Sequence, residues 1–196
     1  MRARFAACGV DVIAERAEQV RFTRIDAAFR AGDLAALRAA VEDPAAVPNG
    51  PMPLAIGPCL EYAIYHSPVA FILELLEIGA DPNPTDHAGF PPLIAALSCS
   101  RSQPGSPARS DVPAILELLL EFGANPDQRG INDYTPLHYA VAERNRSAVE
   151  LLLRAGADPR LRTRIDECET PAEMARAAGQ HETAELLAER ESSREG

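Results

Sequence analysis

Three stretches of the chain carry leucine-rich apolar patterns at helical spacing, and all three end in the same way. Phe71–Pro84, Ala114–Gln128 and Ala148–Leu161 each run from an apolar segment into Gly-Ala-Asp-Pro or Gly-Ala-Asn-Pro. Glycine favours the left-handed conformation that ends a helix, and a proline shortly afterwards prevents the helix from continuing. The pattern therefore predicts three amphipathic helices that share one stop signal.

A second recurring pattern marks the start of a shorter helix. Thr135–Ala140 reads TPLHYA, and looser versions lie at Pro58–Ala63, Pro91–Ala96 and Thr170–Ala175, at spacings of 33, 44 and 35 residues. The longest spacing reflects 11 extra residues between the two helices that follow Pro91. A threonine hydroxyl can cap free N–H groups at a helix start, and proline suits the first turn. The chain therefore reads as a series of helix–turn–helix segments.

A period near 33 residues, with a T-P-L-H-x-A start and a G-A-[DN]-P stop, resembles the ankyrin repeat. The resemblance implies an all-α solenoid of about five stacked repeats with short, strand-free fingers between them. Finger tips and short helices are then expected to line one concave side. The predicted repeats are 23–57, 58–90, 91–134 with its insertion, 135–169 and 170–190.

The two ends of the chain carry further predictions. Apolar residues recur at helical spacing within residues 1–22, at Val10, Ile13, Ala17 and Val20. This stripe predicts a separate helix that covers the N-terminal end of the stack. The polar residues 191–196 are expected to be disordered.

Composition limits the classes of partner. The formal net charge is −10, and all 19 basic residues are arginine. An acidic chain lacks the basic surface that nucleic acid or an anionic membrane requires, so we expect neither partner. Negative charge would instead speed the encounter with a protein that has a basic surface. The absence of lysine is typical of a GC-rich genome and predicts a bacterial source.

Cysteine spacing and hydropathy favour a cytoplasmic protein. The four cysteines are widely spaced and none forms a C-x-x-C pair, as is typical of a reduced chain. No stretch approaches the ~20 apolar residues of a spanning helix, and the first residues do not read as a signal peptide. We expect a cytoplasmic chain that is monomeric on its own.

Thr135 and His138 raise the question of catalysis, because a hydroxyl and a histidine three residues apart can act as nucleophile and base. The repeat pattern already accounts for both residues, and no third, orienting acid is evident in the sequence. The resemblance implies that the histidine ring bonds to backbone in adjoining loops. The structural interpretation is therefore favoured over the catalytic one.

A metal site is the second chemical candidate. His66, Cys99 and Glu143 fall at equivalent places in three successive repeats and would form a row. Stacked helices lie about 8–10 Å apart, whereas zinc ligands lie about 2.0–2.3 Å from the ion. Such a row does not converge on one ion. No phosphate loop or H-E-x-x-H motif is present either, so the sequence predicts no metal, cofactor or catalytic residue.

Residues with no duty in the repeat motif are the candidates for binding. In ankyrin-like proteins they lie at finger tips, just before the TPLH motif and at the end of the first helix. Phe90 and Tyr134 occupy equivalent places in consecutive repeats, and we expect them to anchor a partner together with Arg129. Alternatively, each ring only covers its neighbouring finger. The predicted partner-binding residues are Tyr65, His66, Thr85, His87, Phe90, Arg129, Ile131, Asn132, Tyr134, Glu143 and Arg144.

Two further segments leave alternatives open. Arg160–Arg164 places three arginines at alternate positions, which can recognise a carboxylate-rich partner or pair with the neighbouring Asp166–Glu169. The insertion, within Ser98–Asp111, is either a recognition loop or a neutral addition.

The sequence thus predicts a non-catalytic protein–protein interaction module that binds a partner through its concave groove and finger tips. One alternative is a bacterial inhibitor or immunity-type protein that blocks a toxin or enzyme. A further alternative is an enzyme whose site contains His66, Cys99 and Glu143. Fold alone does not separate these functions.

Overall fold

The computed structural model describes residues 3–53, 56–85, 90–101, 108–130, 133–164 and 168–193, with side chains from residue 15 onward. This part of the chain contains ten α-helices and no β-strand, which confirms the all-α prediction. The helices are α1 (Ala3–Ala31), α2 (Leu34–Ala40), α3 (Cys59–His66), α4 (Val69–Glu77), α5 (Pro92–Ser98), α6 (Val112–Glu121), α7 (Pro136–Ala142), α8 (Arg146–Arg154), α9 (Pro171–Ala177) and α10 (His181–Ser192). A short 3-10 turn covers Pro44–Ala46.

The helices divide into two compact bodies, Met1–Ala80 and Asp81–Gly196. In the N-terminal body α1 packs against α2 and α3, and α3 packs against α4. The ring of Phe29 lies 4.9 Å from that of Tyr62 and 5.8 Å from that of Phe71, measured between centroids. Burial of these rings holds the helices together.

The C-terminal body consists of three helical hairpins stacked in two rows. The short helix α7 packs between α5 and α9, while α8 packs between α6 and α10. Ala96, Ala140 and Ala175 are fully buried in the short row, where small side chains allow close approach. The longer row buries leucines, including Leu119 and Leu152. This is the stacked helix–turn–helix solenoid that the repeat pattern predicts.

The shared stop signal works as the sequence indicates. Gly79, Gly123 and Gly156 adopt φ angles of 94°, 84° and 94°, which lie in the left-handed region that side chains disfavour. In each case the N–H of the following alanine donates to a carbonyl in the last turn, as Ala124 does to Leu119 at 2.9 Å. The glycines therefore end the second helices and turn the chain into the fingers.

Consecutive fingers of the C-terminal body are joined by side-chain hydrogen bonds to backbone. Asn83 donates through Nδ2 to the carbonyl of Gly123 at 2.9 Å, and its Oδ1 accepts from the N–H of Asn125 at 2.6 Å. One repeat later, Oδ1 of Asp127 accepts from the N–H of Asp158 at 2.9 Å. At these two junctions, a polar side chain of one finger thus sets the register of the next finger.

Helix α1 differs from the sequence prediction. The chain was expected to form a separate helix up to residue 22, but α1 is continuous from Ala3 to Ala31. All side chains from residue 15 to 20 are exposed, including Ala17 and Val20 of the predicted apolar stripe. The described part of that stripe therefore covers nothing, because α1 is anchored through its later residues, where Ile25 and Phe29 are fully buried. The side chains of Val10 and Ile13 lie outside the described residues.

The C-terminal end also differs. Disorder was expected from residue 191, whereas α10 continues to Ser192. Residues 194–196 lie outside the described part of the chain. None of the described helices is both long enough and apolar enough to cross a membrane.

Candidate functional site

Thr135 and His138 are in contact, as a nucleophile and its base would be. The Thr135 hydroxyl lies 2.8 Å from Nδ1 of His138, and the Thr135 backbone N–H donates to the same nitrogen at 3.3 Å. Because an N–H can only donate, Nδ1 is the unprotonated nitrogen and accepts from the hydroxyl as well. Nε2 then carries the proton and donates to the carbonyl of Glu169 at 3.0 Å.

Burial decides between the catalytic and structural interpretations of this pair. Both side chains are 0% exposed, so no substrate can reach the hydroxyl. Burial also lowers the pKa of His138, which keeps the ring neutral. At the equivalent place one repeat later, the Glu173 carboxylate accepts from the Thr170 N–H at 2.9 Å. The third residue after the threonine thus supplies an acceptor for the threonine N–H in both repeats. His138 also links α7 to the segment before Thr170, through its bond to the carbonyl of Glu169.

The row of His66, Cys99 and Glu143 does not form a ligand cluster within either body. His66 belongs to the N-terminal body and the other two belong to the C-terminal body. Burial raises the pKa of the Cys99 thiol to about 11, and the thiol donates to the carbonyl of Ala95 at 3.3 Å. No group of three His, Cys, Asp or Glu side chains among the described residues could hold a metal ion.

Aromatic rings cluster beside α7. The Tyr139 centroid lies 6.2 Å from Phe90 and 6.1 Å from Tyr134, with both contacts edge to face. Tyr134 stacks on the buried His138 ring at 5.6 Å. All three outer rings are half-buried, so each contributes to packing and still presents part of its surface. The predicted pair is thus joined through a third ring.

Tyr139 is the member of this cluster that the sequence interpretation missed. Tyr139 lies four residues after Thr135, one helical turn along α7. This spacing is the signal that would have placed it on the same side of α7 as Thr135. Burial, followed by the nearby Glu143 carboxylate, raises the pKa of the Tyr139 hydroxyl. Glu143 therefore lies within electrostatic reach of the rings.

Arg129, expected to contact a partner, is engaged within the chain. Its Nη1 donates to the backbone carbonyl and to Oδ2 of Asp133, both at 2.9 Å, and its Nη2 donates to the carbonyl of Arg162 at 2.9 Å. Asp133 adopts a left-handed φ of 63°, and these bonds hold it there. The guanidinium of Arg129 therefore links two consecutive fingers.

The three arginines of the next finger also have acidic neighbours among the described residues. Arg162 forms a bidentate pair with Glu173 of α9 at 2.7 and 2.8 Å. Arg164 pairs with Asp133, and Arg160 pairs with Asp158. Within the predicted acidic stretch, Asp166 and Glu167 lie outside the described residues. Each pair joins or stiffens fingers, because its partners come from the same or consecutive repeats.

Arginines close the ends of the short helices. Arg101 donates through Nη2 to the carbonyl of Ala142, and Arg144 donates through Nη2 to that of Ala178, both at 3.0 Å. Nε of Arg101 also lies 2.6 Å from Oε2 of Glu143, an ion pair by distance although the N–H is not aligned with the oxygen. Each arginine thus reaches the end of the short helix in the following repeat.

The remaining predicted residues are spread over the chain. Tyr65 and His66 lie half-buried at the end of α3 in the N-terminal body, and Thr85 is exposed. Three others, His87, Ile131 and Asn132, lie outside the described residues, as do residues 102–107 of the insertion. At the base of the insertion, the N–H of Arg109 donates to the carbonyl of Cys99 at 2.9 Å.

Comparison with known families agrees with this architecture. The family model described as ankyrin repeats (3 copies) matches residues 60–163 and 108–195, which together cover more than half of the chain. The chain belongs to the ankyrin-repeat family. These matches do not fix the number of repeats at five.

Several proteins are similar to this ankyrin-repeat chain. It is 36% identical over 129 residues to tyrosine-protein kinase Shark of Drosophila melanogaster, which is 65% of this chain and 12% of that protein. It is 32% identical over 114 residues to ankyrin repeat protein nuc-2 of Neurospora crassa, or 58% of this chain and 9% of that protein. Palmitoyltransferase Hip14 of Drosophila melanogaster is 35% identical over 101 residues, or 51% and 14%.

The chain therefore spans only a small part of the length of each of these relatives. All three come from eukaryotes, so they give no support to the bacterial source that the arginine-only composition suggests. Ankyrin repeats are in general protein–protein interaction modules, and this general role applies to the chain as a member of the family.

Proposed function

We propose that this ankyrin-repeat chain is a non-catalytic module that binds another protein across the fingers and short helices of its C-terminal body. The observation that carries the proposal is the cluster of Phe90, Tyr134 and Tyr139. These half-buried rings occupy positions that the repeat motif does not require, and aromatic rings dominate the energetics of protein interfaces. Phe90 and Tyr134 are the proposed anchors.

A catalytic role for the groove has less support. The Thr135 hydroxyl is enclosed and the Cys99 thiol is buried, with its pKa raised to about 11. A nucleophile must be both accessible and activated, and neither residue meets both conditions. An interaction module needs no accessible, activated nucleophile, so it accounts for this geometry better than an enzyme does.

Several finer features belong to the same proposal. The spacing of the motifs supports five repeats, and the arginine-only composition supports a bacterial source. The free thiols of Cys59 and Cys99 support a reducing, cytoplasmic location. We expect a monomer before the partner binds. An inhibitor of an enzyme or toxin is a narrower form of this function and predicts a tight stoichiometric complex.

The double change Phe90→Ala and Tyr134→Ala tests the proposal. Capture of the partner from extracts of the native host, quantified by mass spectrometry, should be lost. The melting temperature should fall by less than ~5 °C, since the rings are only half-buried. The matched control is the pair Ile78→Ala and Phe122→Ala, which are 37% and 38% exposed at the ends of α4 and α6.

Control protein should capture the partner at the wild-type level. Unchanged capture by the Phe90/Tyr134 variant would refute the anchoring role. A large loss of stability in that variant would show that the rings are structural, as the alternative interpretation of the sequence holds.

A further inference from the structure

The ion pairs on the fingers and short helices of the C-terminal body share an orientation. In each of them the guanidinium is the more exposed partner and the carboxylate lies inside. The side-chain exposures are 60% and 16% for Arg101 and Glu143, 75% and 9% for Arg164 and Asp133, and 56% and 38% for Arg162 and Glu173. Within these pairs, the guanidinium groups are therefore the parts turned toward solvent.

On the row of longer helices, the carboxylate of each described ion pair is at least as exposed as the arginine. Arg146 of α8 is 47% exposed, while its partners Glu150 and Glu182 are 49% and 82% exposed. At the start of α6, Arg109 is 13% exposed and Asp111 is 39% exposed. Carboxylates therefore reach furthest into solvent on this row. Among the described ion pairs, the two rows therefore differ in which partner is turned outward.

The outward arginines and the rings lie on the fingers and beside the short helices, and we name this set of residues the arginine–aromatic face. It consists of Phe90, Arg101, Tyr134, Tyr139, Arg162 and Arg164. Arg101 forms an ion pair with Glu143, whose carboxylate helps to raise the pKa of the Tyr139 hydroxyl. Tyr139 in turn contacts both other rings. Tyr134 follows Asp133, which Arg164 contacts.

The inner carboxylates leave one end of two guanidinium groups turned outward. Arg164 uses Nε and Nη2 on Asp133, at 2.9 and 2.5 Å. In Arg101, Nε lies beside Glu143 and Nη2 donates to the carbonyl of Ala142. Among the described residues, none of their contacts involves Nη1. A second carboxylate can therefore bind at the terminal nitrogens while the first holds the side chain in place.

We infer that the arginine–aromatic face binds a protein segment rich in Asp and Glu that also carries an apolar side chain for the rings. This inference rests on the proposed function and reverses the partner charge expected from the net charge. Arginines already held by Glu143 and Asp133 lose little further freedom on binding, which favours affinity. The exposed carboxylates of the longer helices disfavour long polyanions, whereas a short acidic segment meets mainly the outward guanidinium groups.

A phage-displayed library of random peptides, about twelve residues long, tests the inference against the immobilised full chain. The selected peptides should be enriched in Asp and Glu with at least one large apolar residue. Their affinity should fall as salt concentration rises. The double change Arg101→Gln and Arg164→Gln should weaken a selected peptide by about tenfold or more.

Arg146→Gln on α8 is the matched control and should change the affinity by less than about twofold. Gln at 164 leaves Arg129 in place beside Asp133, and the melting temperature verifies that the variant folds. Should that variant be unstable, Arg101→Gln alone serves, because its side chain is 60% exposed. It should still weaken the selected peptide severalfold.

The outcomes separate this inference from the proposed function. Basic or neutral peptides that still require Phe90 and Tyr134 would overturn the acidic partner and leave the interaction module intact. No selected peptide, or peptides insensitive to both sets of variants, would count against both. A labelled single-stranded RNA that binds as tightly as the peptide, with the same dependence on Arg101 and Arg164, would show a general anion surface and overturn the inference.

Discussion

At the scale of single residues, hydrogen bonds alone do not distinguish a catalytic pair from a structural one. Thr135 and His138 have the contact that a hydroxyl nucleophile and its base require. Their complete burial, and the bond from Nε2 to the carbonyl of Glu169, give the ring a different purpose. The ring accepts a hydrogen bond from the Thr135 N–H at the start of α7 and donates one to a backbone carbonyl of the segment before α9.

The lowered pKa of His138 predicts a pH dependence of stability. The unfolded ring titrates near its ordinary pKa of 6.5, and burial lowers the pKa in the folded chain. Between these two values the unfolded chain binds more protons. The contribution to stability is therefore complete above 6.5 and is lost as pH falls through the folded pKa. Chemical denaturation at several pH values between about 5 and 8 measures it.

His138→Gln isolates this contribution, because its amide can still donate to Glu169 but does not titrate. Its free energy of unfolding should fall less steeply with decreasing pH than that of the wild type. His138→Ala should cost about 1–3 kcal/mol at neutral pH, since it leaves a buried carbonyl without its donor. Equal pH slopes in wild type and the Gln variant would contradict the assignment of the neutral ring.

The sequence predicts the roles of some of these residues and not of others, for physical reasons. The motif period was sufficient to favour structural roles for Thr135 and His138. The role of Arg129 was not accessible, because it depends on Asp133 and on a carbonyl 33 residues away. Tyr139 was missed because it lies within the short helix, at the unspecified position of T-P-L-H-x-A, whereas binding residues were sought at finger tips and helix ends.

At the scale of elements, the repeated stop and start signals are local, and the structure has them where the pattern indicates. Gly79, Gly123 and Gly156 end their helices through one backbone conformation. The extent of α1 and the burial of its apolar stripe are not local in this way. Whether such a stripe is covered depends on what packs against it. Local periodicity predicts that a helix forms and leaves open which of its faces is buried.

Substitutions in α1 test this correction. Ala17→Ser together with Val20→Ser should change the free energy of unfolding by less than about 0.5 kcal/mol, because both side chains are exposed. Ile25→Ala, at a fully buried position of the same helix, should cost about 2–5 kcal/mol. Urea denaturation measures both. A cost above about 1 kcal/mol for the serine pair would show that the stripe is covered after all.

At the scale of the whole molecule, net charge does not describe how the ion pairs of the C-terminal body are oriented. Among the described ion pairs, the carboxylate is at least as exposed as the arginine on the longer helices, and the guanidinium is the more exposed partner on the fingers. The division arises from pairs in which one partner is enclosed by packing. Composition contains no information about which partner is enclosed, so the orientation of these pairs required the structure.

Hydrogen exchange on a complex with the captured partner, or with a selected peptide, tests the central claim most directly. Binding should slow exchange in the fingers that carry Tyr134 and Arg164 and in the short helix α7. The longer helices α6, α8 and α10 should exchange as in the free chain. Protection confined to those longer helices, with the fingers and α7 unchanged, would contradict the assignment of the arginine–aromatic face as the docking surface.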